Sequence, residues 1–433
     1  MSRSAVAGGG GAKPHVVVLG SSFAGLTAAR FIREQARDAV RMTVIDRSPH
    51  LMFVPNVPME VLADRDPAVS MQMDTVRFYE RDGTDFLTAS VEAIDPDARS
   101  VTFVPNDRAG SAPETIAYDF LVIALGNRLA YDRIEGFGEF GHTVSSAYYG
   151  NKLRKKLAGS YRGGPIAIGS ARFHQGLEGK PDWLPVAEAA CEGPPLELGL
   201  AMDHWLRAHS QGDAHKITLF SPAKVIAEDA GTEIVEQLLS MAGEMGFGYR
   251  PGTDDVRRVT ADGVELADGS SLEAEIAIVF PDWVPHDFLR DLPITDELGF
   301  VLTGPDMRNR THPEVFAVGD AAALTVPKLG SLGHQQAEIV SRQIAVEVGA
   351  LEAGKAGATY RPEVVCFGDM GGHKGFYIHS DTWYGGDTSV LKMGYAPWAA
   401  KMAFKEMYFR TGGKPASWGM PATEWTMDRL PLP

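Results

Sequence analysis

Residues 15–34, HVVVLGSSFAGLTAARFIRE, constrain this chain more than any other stretch of its sequence. Val16 to Leu19 form an apolar run suited to a strand buried on both faces. It breaks at Gly20-Ser-Ser-Phe-Ala-Gly25, after which a helical pattern opens. The pattern is G-x-G-x-x-G, with Ser22 at the second glycine position and Phe23 and Ala24 between it and Gly25. Such a turn lets a pyrophosphate approach the backbone, and the helix behind it offers free N–H groups and a positive dipole end. RMTVIDRS then reads as a second strand ending in Asp46, where a carboxylate suits a pair of ribose hydroxyls. A glycine turn beside an unrelated acidic strand end is the plainer alternative.

Composition narrows the class. The 41 basic and 56 acidic residues give a formal net charge of −15, which argues against a general nucleic-acid binder. Two cysteines in 433 residues cannot make a disulfide framework. The opening MSRSAVAGGGGAKP lacks an apolar stretch of signal-peptide length, and no run of about 18 apolar residues occurs, so the expectation is a cytoplasmic chain with at most peripheral membrane contact.

Two later stretches extend the nucleotide reading. YDFLVIALG, ending at Gly126, is a strand closing on a tight turn, and HPEVFAVGDAAAL is another, closing on Gly319-Asp320. In order, these segments resemble the flavoproteins with two dinucleotide-binding domains, in which FAD fills the first domain. The resemblance implies that Gly126 crosses near the FAD phosphates and that Asp320 bonds the ribityl chain. It also places Arg47, Pro55, Val91, Lys328 and Gly333 at the cofactor. The helix GHQQAEIVSRQIAVEV would then direct its N-terminus at the flavin and stabilise negative charge on the reduced ring.

The second domain should repeat the glycine turn if the chain used NADH or NADPH. It does not. After the strand GGPIAIGSA comes a long loop with no G-x-G-x-x-G, and the next strand, HKITLFSPA, ends in Ser221-Pro222 instead of an acid. The loop carries Cys191, just before the predicted helix PPLELGLAMDHWLRAH, a position where the helix dipole is expected to favour the thiolate. Cys366, in CFGD, is also flanked by glycine, and both cysteines are read as lying in turns. Two inert structural cysteines are the bland alternative.

CEGPPLE resembles the C-x-G-P-x-x-E signature of sulfide:quinone oxidoreductases, with Glu197 at its end, and Cys366 matches that family's second catalytic cysteine. PHLMFVPNVPMEV resembles the family's loop beneath the flavin ring. The resemblance implies oxidation of sulfide to polysulfide or sulfur at a Cys191/Cys366 redox pair, with electrons passing through FAD to a membrane quinone. Glu197 would relay protons, although a plain helix-face carboxylate is the competing reading. The third cysteine found in many members is missing, since HTVSSAYYGNKL offers only Ser145 and Ser146. His174, His204, His334 and His373 are candidates for moving protons, with no metal-site spacing among them.

The C-terminal segment changes character. In APWAAKMAFKEMYFRTGG, Trp398, Met402, Lys405 and Phe409 recur at helical spacing, Ala399, Phe404 and Tyr408 widen the apolar face, and Lys401, Lys405 and Arg410 add charge. Such a helix suits a membrane interface and the entry of a hydrophobic quinone; a helix packed on the core or on another subunit is the alternative.

The expected architecture is α/β, with two Rossmann-like dinucleotide-binding domains and a C-terminal membrane-associating segment. Residues 1–13 are expected to be a flexible tail, 14–150 and 296–375 a discontinuous FAD domain, 151–295 a second domain degenerate for NAD, and 376–433 the membrane and quinone segment. The expected location is the cytoplasmic side of the cell membrane, and homo-oligomerisation is left open. The runner-up functions are a type II NADH:quinone reductase, which should show the second glycine turn, and a flavin subunit donating to a cytochrome, which would need export. A flavin-binding sensor without turnover is a third.

Overall fold

The computed structural model describes residues 12–106, 110–357, 359–414 and 419–431, so most of the N-terminal tail lies outside the described residues. A seven-stranded sheet forms the first layer, in the order Val315–Ala317, Phe120–Ile123, His15–Leu19, Arg41–Asp46, Asp85–Asp95, Ser100–Pro105, Glu114–Ala117. The first five run parallel, and the last two return antiparallel. His15–Leu19 is central and wholly buried, which explains its uninterrupted apolar run. Helices Phe23–Ala36 and Gly330–Glu347 pack against each other on this sheet. Their close approach depends on small residues: a Cβ on Gly319 or Gly333 would lie 2.7 or 3.0 Å from the Ala24 Cβ.

A second, five-stranded parallel sheet runs Gly141–His142, Ile276–Phe280, Ile166–Ser170, Ile217–Phe220, Gly248–Arg250. Its first strand lies before residue 151, so the boundary expected there falls inside this sheet. The cause is long-range: Gly141–His142 pairs with a strand from the far end of the insertion, and no local pattern signals that.

The boundary expected at residue 376 also falls inside a unit. Val364–Gly371, Lys374–Ser380 and Ser389–Gly394 form one antiparallel sheet, with Cys366 opposite Ile378. Cys366 therefore sits in a strand, not in a turn, and belongs with the C-terminal segment. Helix Tyr395–Thr411 follows and packs on this sheet. Its Tyr408 is fully buried among Phe23, Phe53 and Phe404, and its Lys401 is buried as well. The face read as an interfacial surface is thus largely a packing face. No helix among the described residues is long and apolar enough to cross a membrane.

Candidate active site

One cleft of about 1520 Å³ runs between the two domains and the C-terminal helix. Its walls bring together Gly20, Ser22, Phe23, Ala24, Asp46, Arg47, Pro55, Val91, Gly126, Gly319, Asp320, Lys328 and Gly333, with Cys191, Cys366 and Glu197 along another part. Gly25 does not line the cleft. It sits beneath, where a Cβ would meet the Gly20 carbonyl oxygen at 2.1 Å, so it sets the packing of the turn.

The nucleotide end is built from local chemistry. Gly20 has φ +97°, and a Cβ there would lie 2.2 Å from the Ala124 oxygen, so the turn requires glycine. The Asp46 carboxylate accepts from the N–H groups of Ser21 (2.6 Å) and Ser48 (2.9 Å), which ties the strand end to the glycine turn. Burial raises the Asp46 pKa, and these hydrogen bonds oppose it.

At the other end, Gly319 donates its N–H to Gln336 (2.8 Å), while Lys328, also buried, donates to the Asp320 carbonyl oxygen (2.9 Å) and lies over the Phe300 ring at 4.2 Å. Burial lifts the Asp320 carboxyl to about 6 against the pull of Lys328, and lowers Lys328 to about 8. Among the described residues, no donor is hydrogen-bonded to the Asp320 carboxylate, which faces the cleft. A glycine cradle at a helix N-terminus, a strand-end carboxylate and an unsatisfied acid at the far end fit a flavin dinucleotide, with phosphates at the first and hydroxyl-bearing chains at the other two.

Both cysteines are free thiols. A Cβ on Gly193 would lie 3.5 Å from the Cys366 sulfur, so Cys366 packs over the turn that carries Cys191. Helix Gly193–Ala208 begins two residues after Cys191. The expected thiolate is not favoured, however. Both cysteines are half-buried in the cleft wall, and burial pushes Cys191 well above the usual thiol range and Cys366 up to about 12. Neighbouring carboxylates add to this: Asp229 for Cys191, and Glu197 for Cys366. One hydrogen bond from the Gly193 N–H is outweighed.

Glu197 pairs with Lys401 of the C-terminal helix, and both are buried. The sequence showed Lys401 only as a surface charge. Burial raises the Glu197 pKa, and Lys401 opposes that. Of the histidines, His334 lines the cleft and is bonded to the Tyr408 hydroxyl, with burial holding its pKa down to about 4. His174 pairs with Asp282 (2.8 Å), His204 packs under Gly371, and His373 packs tilted against the Trp398 ring, all away from the cleft.

Sequence reasoning missed Glu192. It is buried at the N-cap of helix Gly193–Ala208, and its carboxylate accepts from the Ser221 hydroxyl and from the Ala227 N–H (2.7 Å). Burial lifts it to about 8. The chain's own acid thus fills the end of the strand Ile217–Phe220, where a nicotinamide cofactor's ribose would need a free carboxylate. A signal was present, since Ser221 in place of an acid hinted at a different partner.

Together, the two Rossmann-like layers and the glycine-turn cleft define a flavin-dependent oxidoreductase. The chain matches the pyridine nucleotide-disulphide oxidoreductase family model over residues 14–349 and belongs to that family. FAD is its cofactor. Among curated proteins, it is 24% identical to the sulfide-quinone reductase of Aquifex aeolicus over 91% of this chain and 90% of that one. It is 23% identical to the mitochondrial sulfide:quinone oxidoreductase of Mus musculus, over 76% of this chain and 71% of that one. A type II NADH:quinone oxidoreductase of Mycobacterium tuberculosis is 24% identical over 72% of this chain and 66% of that one. The X-ray structure of the Aquifex aeolicus sulfide:quinone oxidoreductase superposes with a TM-score of 0.78 over 97% of both chains, at 21% identity.

Proposed function

We propose that this chain oxidises sulfide at Cys191 and Cys366 and delivers the electrons through FAD to a quinone. The observation that carries the reading is the convergence of two free thiols, distant in sequence, on the wall of the flavin cleft. The similarity to sulfide:quinone oxidoreductases across nearly the whole chain supports it.

FAD, when bound, supplies two-electron chemistry and can take electrons from one substrate and return them to another. The chain's residues do the rest. Asp46 and the Gly20 turn hold one end of the cofactor, and Asp320 and Lys328 the other. Cys191 and Cys366 hold sulfur between them, and the uncharged state that burial favours suits a bridge. Glu197 and Lys401 line the same cleft, act electrostatically on Cys366 and form a pair able to hold a proton there. Phe404 and Met407, also in the wall, offer an apolar approach for a quinone ring.

We place the protein peripherally on the cytoplasmic face of the membrane. The exposed Tyr395 and Trp425, from the C-terminal helices, are the aromatic side chains suited to that interface. The type II NADH:quinone reductase reading draws on the mycobacterial relative, and Glu192 argues against it.

The test is an anaerobic visible spectrum of the purified flavoprotein. Sulfide should bleach the flavin, a soluble quinone should restore it, and micromolar NADH should do nothing. Rapid bleaching by NADH, with none by sulfide, would select the other reading.

A further inference from the structure

Three buried acids stand beside the thiol pair, Glu192, Glu197 and Asp229; Ser221 and Ala227 occupy the first and Lys401 the second, and only Asp229 is left over. Asp229 lies on the short turn Glu228–Ala230. Among the described residues its carboxylate has no hydrogen-bond partner except its own backbone N–H.

The surrounding segments hold the turn that carries this acid beside both thiol-bearing segments. Glu192, next to Cys191, accepts from the Ala227 N–H and the Ser221 hydroxyl, which clips the Asp229 turn onto the Cys191 turn. The Asp229 turn packs on strand Lys374–Ser380 and on the turn Thr382–Tyr384. A Cβ on Gly231 would lie 2.0 Å from the Thr382 hydroxyl, so this contact is close. Strand Lys374–Ser380 in turn pairs with the strand that carries Cys366. On the remaining side, Lys328 donates its N–H to the Ala190 oxygen (2.7 Å), and Tyr384 donates to the Val326 oxygen (2.7 Å). Of the charges acting on Cys191, that of Asp229 is the largest, and it acts on Cys366 and Tyr384 too.

We infer that Asp229 is the acid–base group of the cysteine pair, giving a proton to the sulfur released when sulfide opens the bridge between Cys191 and Cys366. The inference rests on the sulfide reading above. In the step, HS⁻ attacks one sulfur of the bridge. One S–S bond forms and one breaks, leaving a persulfide, Cys–S–SH, on one cysteine and a thiolate on the other, with no net oxidation. That thiolate is released into a wall where burial disfavours its charge, so it takes the proton of the Asp229 carboxyl. Asp229 ends the step ionised and recovers its proton from water.

Burial lifts the Asp229 carboxyl to about 6, with its backbone N–H opposing and Glu228 adding. The groups facing it are Glu228 on its own turn, Glu192 and Cys191 on the first turn, Cys366 on the strand and Tyr384 on the far turn. None of these is a cation. A proton on Asp229 is therefore within reach of neutral pH.

The test compares the flavin-loaded full chain with its Asp229→Asn and Asp229→Glu variants. In the reduced proteins, the pH profile of thiol alkylation by iodoacetamide reads the charge beside the sulfurs. Removing the carboxylate should lower the thiol pKa and speed alkylation at pH 8 several-fold in Asp229→Asn, whereas Asp229→Glu should follow the wild type. In rapid mixing with sulfide, flavin bleaching should slow about 100-fold in Asp229→Asn, the low end for a lost acid–base group, and recover in Asp229→Glu. The ratio of the wild-type rate to the Asp229→Asn rate, in which the ionisation of sulfide itself cancels, should fall as pH rises above about 6.

Unchanged alkylation in Asp229→Asn overturns the placement of the acid, and an unchanged sulfide rate overturns its role. Absence of bleaching in the wild type itself is a different failure. It sinks the sulfide reading and the acid's role with it, and the alkylation profile still decides whether Asp229 faces the thiols.

Discussion

Lys401 and Glu197 form a buried ion pair that joins the C-terminal helix to the helix following Cys191. Their side chains are 3% and 9% exposed, so neither charge has water to fall back on. Removing one partner strands the other, a loss of about 3–5 kcal/mol. Lys401→Met and Glu197→Gln should each lower the unfolding free energy by an amount in that range. The double variant should be more stable than Lys401→Met alone, because its stranded acid is gone. Denaturant unfolding of the three proteins checks this.

Glu192 gives a contrasting expectation. With its carboxyl lifted to about 8, it is mostly protonated at pH 7, and a carboxamide can keep both partners, its oxygen accepting from the Ala227 N–H and its own N–H donating to the Ser221 hydroxyl oxygen. Glu192→Gln should therefore unfold within about 1 kcal/mol of the wild type. Glu192→Ala leaves the Ala227 N–H and the Ser221 hydroxyl without this partner in the interior and should cost about 1–3 kcal/mol for each group left unpaired. Thermal unfolding at pH 7 separates the two.

The contrast between these acids also shows what was legible in the sequence. The Gly20 turn, the Asp46 strand end and the Gly319-Asp320 turn could be read because each depends on a few adjacent residues whose backbone geometry leaves little choice. The two cysteines could be paired only through a family resemblance, since nothing local links Cys191 to Cys366. Lys401 could not be matched to Glu197, because a lysine on an amphipathic pattern looks alike whether it faces water or a buried acid. The thiolate expectation went wrong for a related reason. A helix dipole is visible in sequence, whereas the burial that outweighs it comes from strands and turns far along the chain. Asp229, in an ordinary acidic turn, carried no signal at all.

Asp320 should govern how tightly FAD is held. Its carboxylate faces the cleft without a donor among the described residues, so a cofactor hydroxyl would gain a charge-assisted hydrogen bond worth about 1.5–3 kcal/mol. Asp320→Ala should weaken FAD binding by roughly 10- to 150-fold on that basis. Because the carboxyl is lifted to about 6, wild-type affinity should decline as pH drops below that value, and Asp320→Ala should lose this dependence. Flavin fluorescence titration at several pH values measures both.

His379 makes the docking of the last helix sensitive to alkali. Its ring faces Glu363 (3.4 Å) on one nitrogen and Asp428 (3.1 Å) of helix Gly419–Arg429 on the other. The hydrogen bond to Glu363, with help from Asp428, outweighs burial and raises the pKa to about 9. A histidine raised in the folded state stabilises fully below its ordinary 6.5, and the contribution fades as pH climbs through about 9. The wild type should have a higher Tm than His379→Gln at pH 6, and the gap should close by pH 10. A gap that stays constant across this range would show that the imidazole's charge does not hold the helix.

The two cysteines should behave as one unit. They arrive from a turn after the second domain's strand and from a strand of the C-terminal sheet, and the Cys366 sulfur packs over Gly193, two residues beyond Cys191. A direct bridge needs Cα atoms within about 7 Å, and slightly more if further sulfur atoms intervene. Residues that share one chemical step show losses that do not add, since either deletion already disables it. Cys191→Ser and Cys366→Ser should each abolish flavin bleaching by sulfide while keeping FAD bound, and the double variant should be little worse than either. Intact FAD spectra in all three distinguish a lost reaction from a lost fold. If both single variants bleach at near wild-type rates, the thiols are structural, and sulfide must meet the flavin by another route.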